Sequence, residues 1–135
     1  MNNDLIEVHS IQTLLINIES YELWVKWEVR CEIGPDWIGG GITIQFYLDD
    51  RPLAQTPFHT QLKIILQERL KIPDSSPDAV INGEAEINRI GNRLDLDYSW
   101  SETVPFAYPR YSGSGTALFI DLTKAFTNLG KTSSI

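Results

Sequence analysis

The sequence predicts an α+β domain of antiparallel β-meanders: three strands, one main amphipathic helix, then three more strands, packed together. Three observations carry this. Residues 21–33 alternate strictly, with Tyr21, Leu23, Val25, Trp27, Val29, Cys31 and Ile33 at odd positions, the period of a half-buried strand. Phe58, Leu62, Ile65, Leu66 and Leu70 recur at helical spacing behind Thr56-Pro57, a capping residue followed by proline at the first helical position. Two further alternating runs are joined by Gly91-Asn92, a good two-residue hairpin turn.

Taken in order, residues 11–19 set Leu14, Ile16 and Ile18 against Thr13, Leu15 and Asn17, which predicts a first strand. A hairpin turning at Glu19-Ser20 then brings Ile18 opposite Tyr21, Ile16 opposite Leu23 and Leu14 opposite Val25, apolar against apolar. Side chains of a strand leave alternate faces. The odd residues of 21–33 therefore face a core, while Glu22, Lys26, Glu28, Arg30 and Glu32 stay wet beside the single ring of Trp24. A turn rich in glycine and containing Trp37 ends this stretch, and Ile42, Ile44, Phe46 and Leu48 form the third strand. Pairing it back sets Ile33 against Ile42, Cys31 against Ile44 and Val29 against Phe46. Asp49-Asp50-Arg51-Pro52 is turn chemistry, and the helix that follows ends at Lys71.

In the second half Ile81, Gly83, Ala85 and Ile87 alternate, as do Leu94, Leu96, Tyr98 and Trp100 on the return. The turn sets Ile87 opposite Leu96, Ala85 opposite Tyr98 and Gly83 opposite Trp100, so small residues face large rings. Residues 103–115 read as an irregular stretch. Thr116, Leu118, Ile120 and Leu122 predict a last strand, followed by a short helix over residues 123–129 with Gly130 as its stop.

Composition sets the function classes. With 135 residues, 42% of them hydrophobic, the chain is read as a single domain over residues 1–135. A net charge of −7 and a sequence pI near 4.7 argue against nucleic-acid binding, which selects a basic footprint. They favour a basic protein partner. The acid is uneven: residues 1–40 and 73–103 each carry −5, whereas 41–72 carry +1 and 104–135 carry +2. The lone Cys31 cannot form an internal disulfide and is read as a small buried hydrophobe. No signal-peptide pattern opens the chain, and no apolar run approaches the roughly twenty residues that span a bilayer. The expectation is a cytoplasmic protein without a membrane segment.

The second hairpin also sets Glu86 opposite Asp97, Asn88 opposite Asp95 and Glu84 opposite Ser99, so Glu84, Glu86, Asp95 and Asp97 share one outer surface. Like charges facing across a ladder cost up to about 1 kcal/mol. The functional reading is a docking surface for a cationic protein or, less favoured because no tight ligand loop is present, a weak divalent-metal site; the plain one is a solvated face relieved by Arg89 and Arg93. Residues 105–115 are the second candidate, with Tyr108, Arg110 and Tyr111 among serines and glycines, a composition suited to contact surfaces. Trp24 is the third, as an aromatic on a charged face. His9 and His59 are the only histidines and neither sits in a metal-ligand pattern; GxSxG and CxxC are absent, and Gly39-Gly40-Gly41 precedes a strand instead of a phosphate-binding helix. No enzyme activity, cofactor or metal is expected.

The leading expectation is a small acidic protein that works by protein–protein contact through Glu84, Glu86, Asp95, Asp97, Trp24, Tyr108, Arg110 and Tyr111. Its profile suits a toxin-neutralising or immunity-type inhibitor of a basic partner. A second reading is a small-molecule binder or unorthodox enzyme, with a pocket lined by Tyr98, Trp100, Tyr108 and His59 under residues 105–115. A third is a structural homo-oligomer formed by edge pairing of the first or last strand.

Overall fold

β1 (Leu23–Arg30) lies inside a six-stranded antiparallel sheet, paired on one side with β2 (Gly41–Leu48) and on the other with β4 (Val80–Ile90). The structure is a computed structural model that describes residues 7–31, 41–104 and 109–123, with backbone alone for residues 109 and 110. Its remaining strands are β3 (Arg51–Pro52), β5 (Arg93–Thr103) and β6 (Pro109–Asp121), in the sheet order β3-β2-β1-β4-β5-β6. Helices α1 (Ile11–Ser20) and α2 (Pro57–Leu70) share one apolar core with one face of this sheet. The described residues thus form an α+β fold with a six-stranded antiparallel sheet.

The alternation of β1 is realised: Leu23, Val25, Trp27 and Val29 are buried, while Lys26, Glu28 and Arg30 are exposed. Cys31 is only half-buried, beyond the strand end, in an isolated bridge to Ser76. The β1–β2 register differs from the expected one by four residues: Val25 faces Phe46, Trp27 faces Ile44 and Val29 faces Ile42. An even slip keeps every apolar side chain on the same face, so alternation alone could not choose between the two. Hydrogen bonds at the other end select the register. Glu22 N–H donates to Asp49 Oδ1 (2.8 Å) and Asp49 N–H donates to the Glu22 carbonyl (2.9 Å). Asp49 and Asp50 have φ of 47° and 69°, both left-handed as a tight two-residue hairpin requires.

Residues 11–19 are a helix and not the expected first strand. Ile11, Leu14 and Leu15 are buried and Ile18 packs against the core, whereas Ile16 is 67% exposed. Leu14 and Ile18 satisfy a period of two and a helical repeat alike; Ile11 and Leu15 extend only the helical one. Ser10 caps the start, its Oγ accepting from Thr13 N–H at 3.3 Å. The expected hairpin around Glu19-Ser20 therefore does not form, Tyr21 is exposed as the C-cap, and β4 occupies the place beside β1. Three strands still precede α2, because Arg51–Pro52 forms a short edge strand where only a turn was expected.

α2 begins as its sequence signals. Thr56 Oγ1 accepts from His59 N–H and donates to the Val8 carbonyl, both at 3.1 Å, and Thr56 is buried. Lys71 closes the helix with φ of 56°. Because one hydroxyl satisfies two backbone groups, Thr56→Ala is expected to cost about 1–2 kcal/mol in urea denaturation, with Thr56→Ser restoring most of it.

The β4–β5 register is the expected one at every position, with Gly91 at φ 61° in the turn. Rings from other strands also use the room left by small residues. The ring nearest Gly83 is that of Trp27, while Trp100 and Tyr98 lie over Gly113 and Gly115 of β6. That packing accompanies a further difference from expectation: β6 starts at Pro109 and pairs along the whole of β5, so most of the stretch expected to be irregular is strand. Thr123 is helical where a short helix was expected, and Leu122, expected in the last strand, is helical as well; the remaining residues of that helix, like Trp37, lie outside the described residues. Among the described residues no helix is long and apolar enough to cross a membrane.

Candidate functional site

Both helices cover the face bearing Val25, Phe46, Ala85 and Leu96, so the alternate residues of the same strands form an outer face that no described helix covers. Because β1 pairs with β4, the aromatic of the first meander and the acids of the second become one surface. Tyr47, Trp24, Glu86, Asp97 and Thr116 stand in a single row across five strands, each opposite the next. The adjacent row runs Gln45, Lys26, Glu84, Ser99, Ser114, and Asp95 lies on the far side between Asn88 and Leu118. Neighbouring strands are about 4.8 Å apart, so Glu86 lies within contact range of both Trp24 and Asp97.

The charges are partly answered on the spot. Lys26 stands opposite Glu84 and holds its Nζ 5.6 Å from the Tyr47 ring centroid, a cation–π contact. Arg93 Nε is 3.0 Å from Asp95 Oδ1. The Trp24 indole N–H donates to Glu22 Oε1 at 3.4 Å, which orients the ring along the face. Glu84 and Asp97 are exposed, whereas Trp24, Glu86 and Asp95 are half-buried by their neighbours. A depression of about 580 Å³ lies beside these rows, with Lys26, Glu28, Gln45, Tyr47, Glu84 and Ser99 on its walls. A concave, negatively charged surface with two rings at one side can receive a basic, partly apolar projection.

Of the sequence-derived site residues, the fold brings together Trp24, Glu84, Glu86, Asp95 and Asp97. Tyr111 is separated from them: it stands opposite Glu102, on the helix side of the sheet, and is 61% exposed. Tyr108 and the Arg110 side chain lie outside the described residues. Lys26 was read only as a wet neighbour of Trp24, and Tyr47 was not singled out, since the β1–β2 register is what sets it opposite Trp24; an aromatic on the polar side of a neighbouring strand was the available signal.

A second concavity, about 360 Å³, opens between the C-terminal end of α2 and the sheet, with Trp27, Tyr98 and Trp100 on one wall and Arg69, Lys71 and Glu102 at its rim. His59 does not line it. Its ring is buried, edge-on to Phe46 at 5.1 Å, and neither ring nitrogen has a hydrogen-bond partner among the described residues. Burial, and then the nearby Lys63 ammonium, push its pKa below the ordinary histidine value. Among the described residues no group of three or more His, Cys, Asp or Glu side chains is placed to hold a metal ion.

Compared with known proteins, the chain matches no family model, no curated protein and no solved structure.

Proposed function

We propose that the protein is a small acidic binding protein that docks a basic protein on the open face of its sheet. The observation that carries this reading is the row Tyr47-Trp24-Glu86-Asp97, which joins two rings and two carboxylates from four strands. Rings supply desolvated contact area, and the carboxylates select and steer a cationic partner. Occlusion of a basic toxin, in a cytoplasmic setting, is the physiological role this chemistry suits best.

The test is affinity capture at low salt followed by measured binding of the recovered partner. Glu86→Lys with Asp97→Lys is expected to weaken binding at least about tenfold, with much of the loss in the association rate, and Trp24→Ala to speed dissociation. Binding indifferent to the charge reversals would sink the proposal. The cleft beside α2 favours a second reading, as a small-molecule binder whose ligand stacks on Trp100 and Tyr98. Ligand-induced quenching of tryptophan fluorescence that Trp100→Leu abolishes, with the Glu86 and Asp97 variants unaffected, would favour it over the first.

A further inference from the structure

The two edges of the sheet are built in opposite ways. At one edge β3 has two residues, Arg51 and Pro52; shortness, charge and proline are the devices that stop a sheet from growing. At the other, β6 has thirteen residues, and residues 111–120 include no Asp, Glu, Lys or Arg in a chain that is 21% charged. Its open-face side chains are Ser112, Ser114, Thr116 and Leu118, all exposed. Among the described strands its only partner is β5, so its outer row of backbone groups has no described strand beside it. A long, uncharged edge of this kind is a template for another strand.

We infer that β6 pairs antiparallel with β6 of a second copy, about a two-fold axis perpendicular to the sheet near Ser114. That axis sets Ser114 against its counterpart and Ser112 against Thr116, and it keeps the helices of both copies on one side and both open faces on the other. The occupant is argued from charge and from side-chain size. Two chains of −7 repel, and among the described strands β6 is the longest edge along which they meet without opposing acids, the outer side of β2 left open beyond β3 being shorter. A foreign extended peptide is chosen by pockets for its alternate side chains; Ser112, Gly113, Ser114 and Gly115 form none, so the edge offers backbone pairing to a strand as small as itself. This contact is separate from the acidic row and holds whether or not that row binds a partner.

Sedimentation equilibrium of the full chain from about 1 µM to about 500 µM tests it. The expected mass rises from 15.3 kDa towards twice that value. Ser114→Lys places two ammonium groups face to face at the axis and is expected to weaken association at least about tenfold, while Gln61→Lys, the same charge change on exposed α2 surface, leaves it intact. Far-UV circular dichroism checks folding, and Ser112→Lys serves if Ser114→Lys unfolds. A monomer throughout the range, or a dimer that neither edge variant weakens, would overturn the inference. So would a β6 edge that gains hydrogen-exchange protection only when a different protein is bound.

Discussion

Gly83→Ala is expected to destabilise the fold by about 2–3 kcal/mol in urea denaturation, although replacing glycine within a strand ordinarily gains about 0.5–1 kcal/mol from backbone entropy. The sign reverses because of one ring. A Cβ at position 83 would lie 2.2 Å from both Cε2 and Cζ2 of Trp27, well inside van der Waals contact. The indole cannot swing clear cheaply: Trp27 is buried between β2 and β4, with Ile44 opposite it on one side and Gly83 on the other. Close-packed interiors transmit such a clash to the backbone instead of absorbing it. In a Trp27→Leu background the same Gly83→Ala change should cost little or gain slightly, so a double-mutant cycle should return a coupling of about 2 kcal/mol or more. Strict additivity of the two changes would show that the ring does not rest on the glycine.

That contact also marks the limit of what the sequence discloses. Gly83 opposite Trp100 was legible, because Gly91-Asn92 pins the β4–β5 hairpin and every later pair follows by counting. Trp27 over Gly83 was not, since it requires β1 beside β4, residues more than fifty apart in sequence whose pairing no local turn specifies. The same gap separates the candidate site into its legible and illegible parts. Glu84, Glu86, Asp95 and Asp97 were readable as one acidic surface from the hairpin alone, and Trp24 as an outward ring on its own strand. Their union with Tyr47 and Lys26 is a product of the long-range pairing. Elsewhere the signal was present but ambiguous: Leu14 and Ile18 fit strand and helix equally, and the four-residue displacement of the β1–β2 register leaves the apolar face unchanged. β6 was read seven residues short at its start, because proline and glycine are weak strand formers; rings from β5 resting on Gly113 and Gly115 supply what those residues lack.

His59 should make the protein acid-sensitive through a single group. Its ring is 2% exposed, stands edge-on to Phe46 and has no hydrogen-bond partner for either nitrogen among the described residues. Burial, followed by the Lys63 charge, lowers its pKa in the folded state from the 6.5 of an unperturbed histidine. The unfolded chain therefore binds a proton at this site more readily than the folded one. The stability associated with neutral His59 is fully present above about pH 6.5 and is lost as the pH falls towards the folded-state pKa, at up to about 1.4 kcal/mol per pH unit. His59→Leu should remove that slope between about pH 6.5 and about pH 5, a window above the titration of ordinary carboxylates, and the difference between the two proteins isolates the histidine. Near pH 7 the leucine variant should be as stable or slightly more so, because deleting two unpaired buried nitrogens relieves about 1–3 kcal/mol against the loss of an edge contact worth about 0.5–1.5 kcal/mol. Chemical denaturation across the pH series reads both effects. An NMR titration that found His59 protonating at or above the value of a free histidine would contradict the account, since a ring that charges so readily must have a partner or solvent at its nitrogens.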